Sequence, residues 1–172
     1  MINIDIVTKS KKWQEEKSVE KFVEKTCKIL IPLTELKKIL SKSFELELTV
    51  LLVCDLQIKK INNQFRQKNK ATNVLSFPAL EENLIRKIGL KKAAGSSKYL
   101  LLGDIIISYE TVKKESLAQK KRFRDHLTHL ILHSILHLIG YDHEDEKMAN
   151  EMEALEVKIL KKLKIPNPYQ PI

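Results

Sequence analysis

Hydrophobic and polar positions alternate along "INIDIV" (2–7) with period two, the spacing of a half-buried strand. The period then lengthens. Trp13, Val19, Phe22, Val23, Cys27 and Leu30 recur at helical spacing and predict a helix over about 12–31, closed by Pro32, with a short helix over about 33–41 after it. "ELELTVLLVC" (45–54) first alternates and then runs continuously apolar, as a strand does on entering the middle of a sheet. Asp55 stands where it would cap the next helix, whose buried positions are Leu56, Ile58, Ile61 and Phe65. "NVLSFP" (73–78) reads as a third strand ended by proline and "LLLGDIIIS" (100–108) as a fourth, in which Gly103 predicts a bulge or a close backbone approach. Between them 79–98 is polar, basic and partly small, and is expected to be a mobile excursion. The helical period returns over about 109–139, broken near "KKRFR" (120–124), and again over about 147–164; the tail "PNPYQPI" is expected to be loosely held. Strands interleaved with helices predict an α+β fold, a small mixed sheet of about four strands covered by about five to six helices.

Length and composition narrow this only slightly. A chain of 172 residues, 43% hydrophobic and 31% charged, suits one core, so a single domain over 1–172 is expected. Charge changes the picture more. The formal charge is +9, and it is unevenly spread: residues 1–125 carry 26 basic and 15 acidic side chains, whereas 126–172 carry 5 and 7. A polyanion such as RNA suits the basic part, because neutralising phosphates releases counterions, although lysine-rich surfaces also serve solubility alone. Cys27 and Cys54 lack the C-x-x-C spacing of a redox or zinc pair and read as free thiols. No segment approaches the roughly 18 apolar residues of a membrane span, so no membrane partner and a cytoplasmic location are expected.

The candidate chemistry lies in "HSILHLIGYDH" (133–143). It keeps the histidines and glycine of the metalloprotease pattern H-E-x-x-H-x-x-G-x-x-H but has Ser134 where the general-base glutamate belongs. His133 and His137, four apart on a helix, project from one face a turn apart and can share an ion. Gly140 stands where a left-handed residue would end the helix and return the chain, and with it His143, toward that ion. Three imidazoles leave a fourth tetrahedral position for water, whose pKa a zinc ion would lower to about 7; nickel, copper or iron would also be accepted. Asp142 is a further ligand, a group orienting an imidazole, or an organiser of the turn. His126 and His129 extend the stripe, so that four histidines fall within an arc of roughly 80° on an unbroken helix. His129 is expected to line the groove or to support a ligand from behind. Without a glutamate at 134, peptide hydrolysis lacks its base, whereas phosphodiester cleavage can draw on a metal-activated hydroxide and a cation that stabilises phosphate charge. "FRQKNKATNVLSF" (65–77) offers such cations in Arg66, Lys68 and Lys70, between a helix end and a strand.

Taken in order, "FRQKNKATNVLSFP", "LGDIIIS" and "HLTHLILHSILHLIGYDHE" resemble the YbeY family of bacterial endoribonucleases, the ribosomal RNA maturation factors, from about Val50 to the last helix. The resemblance implies a single-strand-specific, metal-dependent endoribonuclease that matures the 3′ end of small-subunit (16S) ribosomal RNA and serves ribosome quality control. Single-stranded RNA, ribosomal RNA and the ribosome are then the partners. Its zinc-binding histidines fall on His133, His137 and His143, its functional arginine on Arg66, and its "LGDI" aspartate on Asp104, for which a structural role is an equal reading. The chain departs from the family's usual pattern at Ser134, where glycine is usual, at Ala71, where proline is often found, and in the length of 79–98. A non-catalytic RNA-binding assembly factor with a structural metal is the alternative, and a metalloprotease-like hydrolase, disfavoured by Ser134, a more distant one.

Overall fold

The computed structural model describes residues 1–40, 45–79, 99–142 and 145–170. Its four strands, β1 (Ile2–Thr8), β2 (Glu45–Val53), β3 (Val74–Pro78) and β4 (Tyr99–Ser108), form one mixed sheet in the order β1-β2-β4-β3. β1 and β4 both run parallel to β2, and β3 lies antiparallel to β4 at the edge. Around the sheet stand α1 (Val19–Leu30), a single turn α2 (Lys37–Leu40), α3 (Asp55–Arg66), α4 (Tyr109–Ala118), α5 (Phe123–Leu138) and α6 (Glu146–Lys162). This is the α+β arrangement that the alternating periods predict.

Register sorts the two faces. Ile4, Leu48, Val50, Ile105 and Ile107 share one face with the buried side of α1 and with α5, whereas Val53, Leu75 and Ile106 point the other way onto Ile58 of α3. Helix α5 is held on several sides, with Leu127, Ile131, Leu132, Ile135 and Leu136 fully buried, and α6 packs on it. Gly103 makes the predicted bulge: Glu47 pairs with Leu101 and Leu48 with Gly103, so Leu102 is the extra residue. The close approach is real as well, since at φ 128° a Cβ on Gly103 would sit 2.1 Å from the Phe77 carbonyl oxygen.

Of the apolar positions expected to be buried on α3, Leu56 and Phe65 are exposed, and four further sequence expectations change. The helix expected over 12–31 is two pieces, a 3₁₀ turn Lys11–Glu15 and then α1, separated by Ser18 in the left-handed region. The buried Trp13 indole donates to the Val53 carbonyl at 2.9 Å, so this residue follows the end of β2 and not the axis of α1. The helix expected over 33–41 is reduced to a 3₁₀ turn at Ile31–Leu33 and α2. Asp55 does not cap its own helix: Cys54 is the N-cap of α3, and the Asp55 carboxylate instead accepts from Ser108 Oγ (2.6 Å), Thr111 Oγ1 (2.7 Å) and Thr111 N (3.3 Å) at the start of α4. Glu110 of α4 reciprocates by accepting from Asp55 N at 3.1 Å, so each helix start supplies an anion to the other's unpaired N–H groups. Fourth, the tail is not loose up to residue 170. Lys121 Nζ donates to the Pro168 carbonyl (2.6 Å), and Tyr169 reaches α6 through its hydroxyl. Of the excursion expected at 79–98, all but the first residue lies outside the described residues.

Three helices end in one kind of turn. After α5, Gly140 (φ 96°) donates to His137 O and Tyr141 to Leu136 O, both at 3.0 Å, closing the left-handed turn expected from the sequence. α4 and α6 make the same pair of bonds with lysines in the left-handed position, Lys120 (φ 53°) and Lys164 (φ 59°).

Candidate active site on the histidine helix

Helix α5 runs unbroken from Phe123 to Leu138, so its histidines form one stripe. Ring centroids step from His126 to His129 by 6.3 Å, to His133 by 6.2 Å and to His137 by 4.6 Å. His133 and His137 turn Nε2 toward Nε2, 3.1 Å apart. Two nitrogens on one tetrahedral zinc, each at about 2.05 Å, would be separated by about 3.3 Å. The pair therefore fits two ligands of one ion.

Glu156 supports this geometry from behind. It lies on α6 with no solvent exposure, and its Oε1 is 2.8 Å from His133 Nδ1. Burial raises a carboxyl's pKa, yet hydrogen bonds from His129, His133 and Tyr169 outweigh that and hold Glu156 down to about 2. An ionised carboxylate only accepts, so His133 Nδ1 is the donor, and in the neutral ring Nε2 carries the lone pair that faces His137. The other oxygen of Glu156 takes the Tyr169 hydroxyl and lies 3.5 Å from His129 Nε2. Burial depresses the pKa of His129, and the neighbouring His133 and His126 act in the same direction, against the raising effect of Glu156. One donor atom from each of His129, His133 and Glu156 lies within 4.8 Å of the others, a spacing that could hold a metal ion. The 2.8 Å contact of Glu156 with His133 Nδ1 is that of a donor and an acceptor, so the Nε2 side is the better-formed ligand face.

In front of the stripe lies a groove of about 390 Å3 whose walls include Asn73, Val74, Glu115, His126, His133 and Tyr169. Glu115 accepts from Asn73 Nδ2 (3.0 and 3.2 Å) and contacts His126 Nε2 (2.8 Å), tying the start of β3 to the helix. The Tyr169 ring stands edge-on to His129 at 5.6 Å, so the tail forms one wall.

The remaining sequence candidates are distributed around this centre. His143 lies outside the described residues, and Asp142 is half-buried just past the Gly140 turn. Arg66 is exposed as the last residue of α3 and donates to the Ser76 carbonyl at 3.4 Å. That contact places it on the strand whose Val74 lines the groove, but Arg66 is not itself part of the lining. Lys68 and Lys70 are exposed in the following loop, which buried Asn62 anchors through the Lys70 carbonyl at 2.8 Å. Asp104 is exposed and pairs with Phe77 on the α3 face of the sheet, whereas α5 covers the opposite face. Ser134 is fully buried, and its hydroxyl finds no partner among the described residues. Glu156 and Tyr169 escaped the sequence reading. The signal for Glu156 was there: it interrupts an apolar stripe formed by Met152, Leu155, Ile159 and Leu160.

The chain is similar to known proteins along nearly its whole length. It is 44% identical over 169 residues to Endoribonuclease YbeY of Bartonella henselae and 46% identical over 169 residues to that of Bartonella quintana, with 98% of each chain covered in both cases. Its fold is similar to the solution structure of TM1509 from Thermotoga maritima, at a TM-score of 0.52 and 23% identity over 99% of both chains. The family model described as Endoribonuclease YbeY matches residues 4–164, and the chain belongs to that family.

Proposed function

We propose that the protein is a zinc-dependent, single-strand-specific endoribonuclease of the cytoplasm that matures the 3′ end of 16S ribosomal RNA and takes part in ribosome quality control. Membership of an endoribonuclease family makes it a hydrolase acting on RNA. The observation that carries the metal reading is the convergence of His133 Nε2 and His137 Nε2 at 3.1 Å, with Glu156 fixing the donor side of His133. His143, the third histidine that the family resemblance implies, would complete the ligand set. Zinc, when bound, supplies positive charge at the reacting phosphate and lowers the pKa of a coordinated water to about 7.

The protein's own groups supply the rest. His133 and His137 hold the ion, and Glu156 keeps the His133 ring in the tautomer that can do so. Arg66, exposed and within hydrogen-bond reach of the Ser76 carbonyl on β3, is the cation that would neutralise a non-bridging phosphate oxygen in the transition state. Among the described residues no helix is long and apolar enough to cross a membrane.

The test compares wild type with His137→Ala and Arg66→Ala on single-stranded fragments of small-subunit ribosomal RNA, with zinc content measured in parallel. His137→Ala is expected to lose both metal and cleavage. Arg66→Ala should keep the metal and lose cleavage by about 100-fold or more. Equal residual cleavage in all three proteins would assign the signal to a contaminant and end the nuclease reading.

A further inference from the structure

The histidine groove is poorly matched to a polyanion. Its lining carries Glu115 and Glu153, with Lys121 as the cation among them, and Glu156 lies behind. The cations stand next door. A separate cavity of about 310 Å3, within the range that takes small ligands, opens between the α4–α5 turn and the chain leaving α6. Lys120, Lys121, Arg122 and Lys164 line it against one carboxylate, Asp125, which holds the Arg122 guanidinium at 2.7 and 3.2 Å. The two hollows share Lys121, His126, His129 and Pro168, so a strand leaving the groove past these residues meets the cavity.

Backbone conformation singles out two of the four cations. Lys120 and Lys164 occupy the left-handed position of their helix-ending turns, where glycine is the residue without steric cost. They come from different helices, 44 positions apart in the chain, and both line the same cavity.

We propose that this cavity is a phosphate subsite for the RNA strand, in which Lys120, Lys164 and Arg122 hold the phosphodiester of a nucleotide adjoining the one in the histidine groove. It rests on the endoribonuclease reading and adds to it where the binding charge comes from. The strand is recognised here through its backbone, so the subsite is indifferent to base. Arg122 reaches a phosphate without leaving Asp125, since a guanidinium has five N–H donors and the carboxylate uses two.

The test is the double substitution Lys120→Gly with Lys164→Gly. Glycine suits the left-handed backbone at both positions, so the variant folds and keeps its melting temperature and zinc content. Affinity is read by fluorescence anisotropy of a labelled 2′-O-methyl oligouridylate on the zinc-loaded protein over a salt series, while cleavage of unmodified RNA is followed separately. Losing the single-strand phosphate contact that the two lysines share should make the slope of log affinity against log salt shallower by about 0.7, which is about 5-fold weaker binding at 0.1 M salt if affinities converge at 1 M. Lys120→Arg with Lys164→Arg should keep the wild-type slope. A double-glycine variant with wild-type affinity and slope, in a protein that cleaves RNA and loses cleavage with His137→Ala, overturns the subsite and leaves the nuclease reading standing. Failure of wild type to bind or cleave single-stranded RNA overturns both.

Discussion

Glu156 shows what one buried carboxylate can organise. It faces two histidines and a tyrosine, and by accepting from His133 Nδ1 it leaves the lone pair of the neutral ring on Nε2. Glu156→Ala is expected to weaken zinc binding by about 10- to 100-fold in competition with a chelator of known affinity. Glu156→Gln, which retains an acceptor oxygen, should lose less; an unchanged affinity in the alanine variant would remove Glu156 from the site. Ser134 presents the opposite situation, a buried hydroxyl without a partner among the described residues. Ser134→Ala should therefore raise stability by about 1 kcal/mol in urea unfolding, because it removes an unpaired polar group and keeps the helix-favouring Cβ. At this scale the sequence was legible wherever spacing carries the message, as at His133, His137 and Gly140. It was silent on Tyr169, which acts from a proline-containing tail with no periodicity of its own.

Elements were legible where a single period runs between clear stops. The four strands and the break between α4 and α5 follow the pattern, whereas the segment 12–31 does not, because Trp13 answers to the Val53 carbonyl and helical spacing cannot register that. Asp55 has the same lesson: a carboxylate at a helix start was predicted to serve its own helix, and the tertiary arrangement gives it to α4 instead. The bulge in β4 is the most constrained element. Gly103→Ala would combine a left-handed backbone with a Cβ 2.1 Å from the Phe77 carbonyl, so a loss of about 3 kcal/mol is expected in urea unfolding. A loss under about 1 kcal/mol would mean that the β3–β4 pairing yields easily there.

Two titrating groups shape the stability of the whole molecule from opposite ends of the pH scale. Burial acts to raise the pKa of Glu115, but hydrogen bonds with His126 and Asn73 prevail and hold it below its ordinary value of 4.5. The folded state thus binds this proton more weakly than the unfolded chain, so the contribution is complete above about pH 4.5 and is lost as pH falls through the folded value. Burial raises the Cys27 thiol from 9.0 to about 12, so between those values the unfolded chain has released a proton that the folded protein keeps, and stability falls as pH rises. Urea midpoints across pH should show Glu115→Gln flattening the acid limb and Cys27→Val the alkaline limb, the latter by about 1.4 kcal/mol per pH unit at most. An alkaline slope untouched by Cys27→Val would refute the second assignment. By itself the sequence determined the α+β class, the strand positions, the histidine stripe and the turn at Gly140, because all of these are written in local period and in residues with special backbone freedom. Only the tertiary structure decided that a glutamate on α6 orients His133, that Asp104 faces away from α5, and that lysines ending two separate helices share one cavity. Those relations join residues far apart in the chain, and spacing along a sequence carries no record of which distant surfaces will pack together.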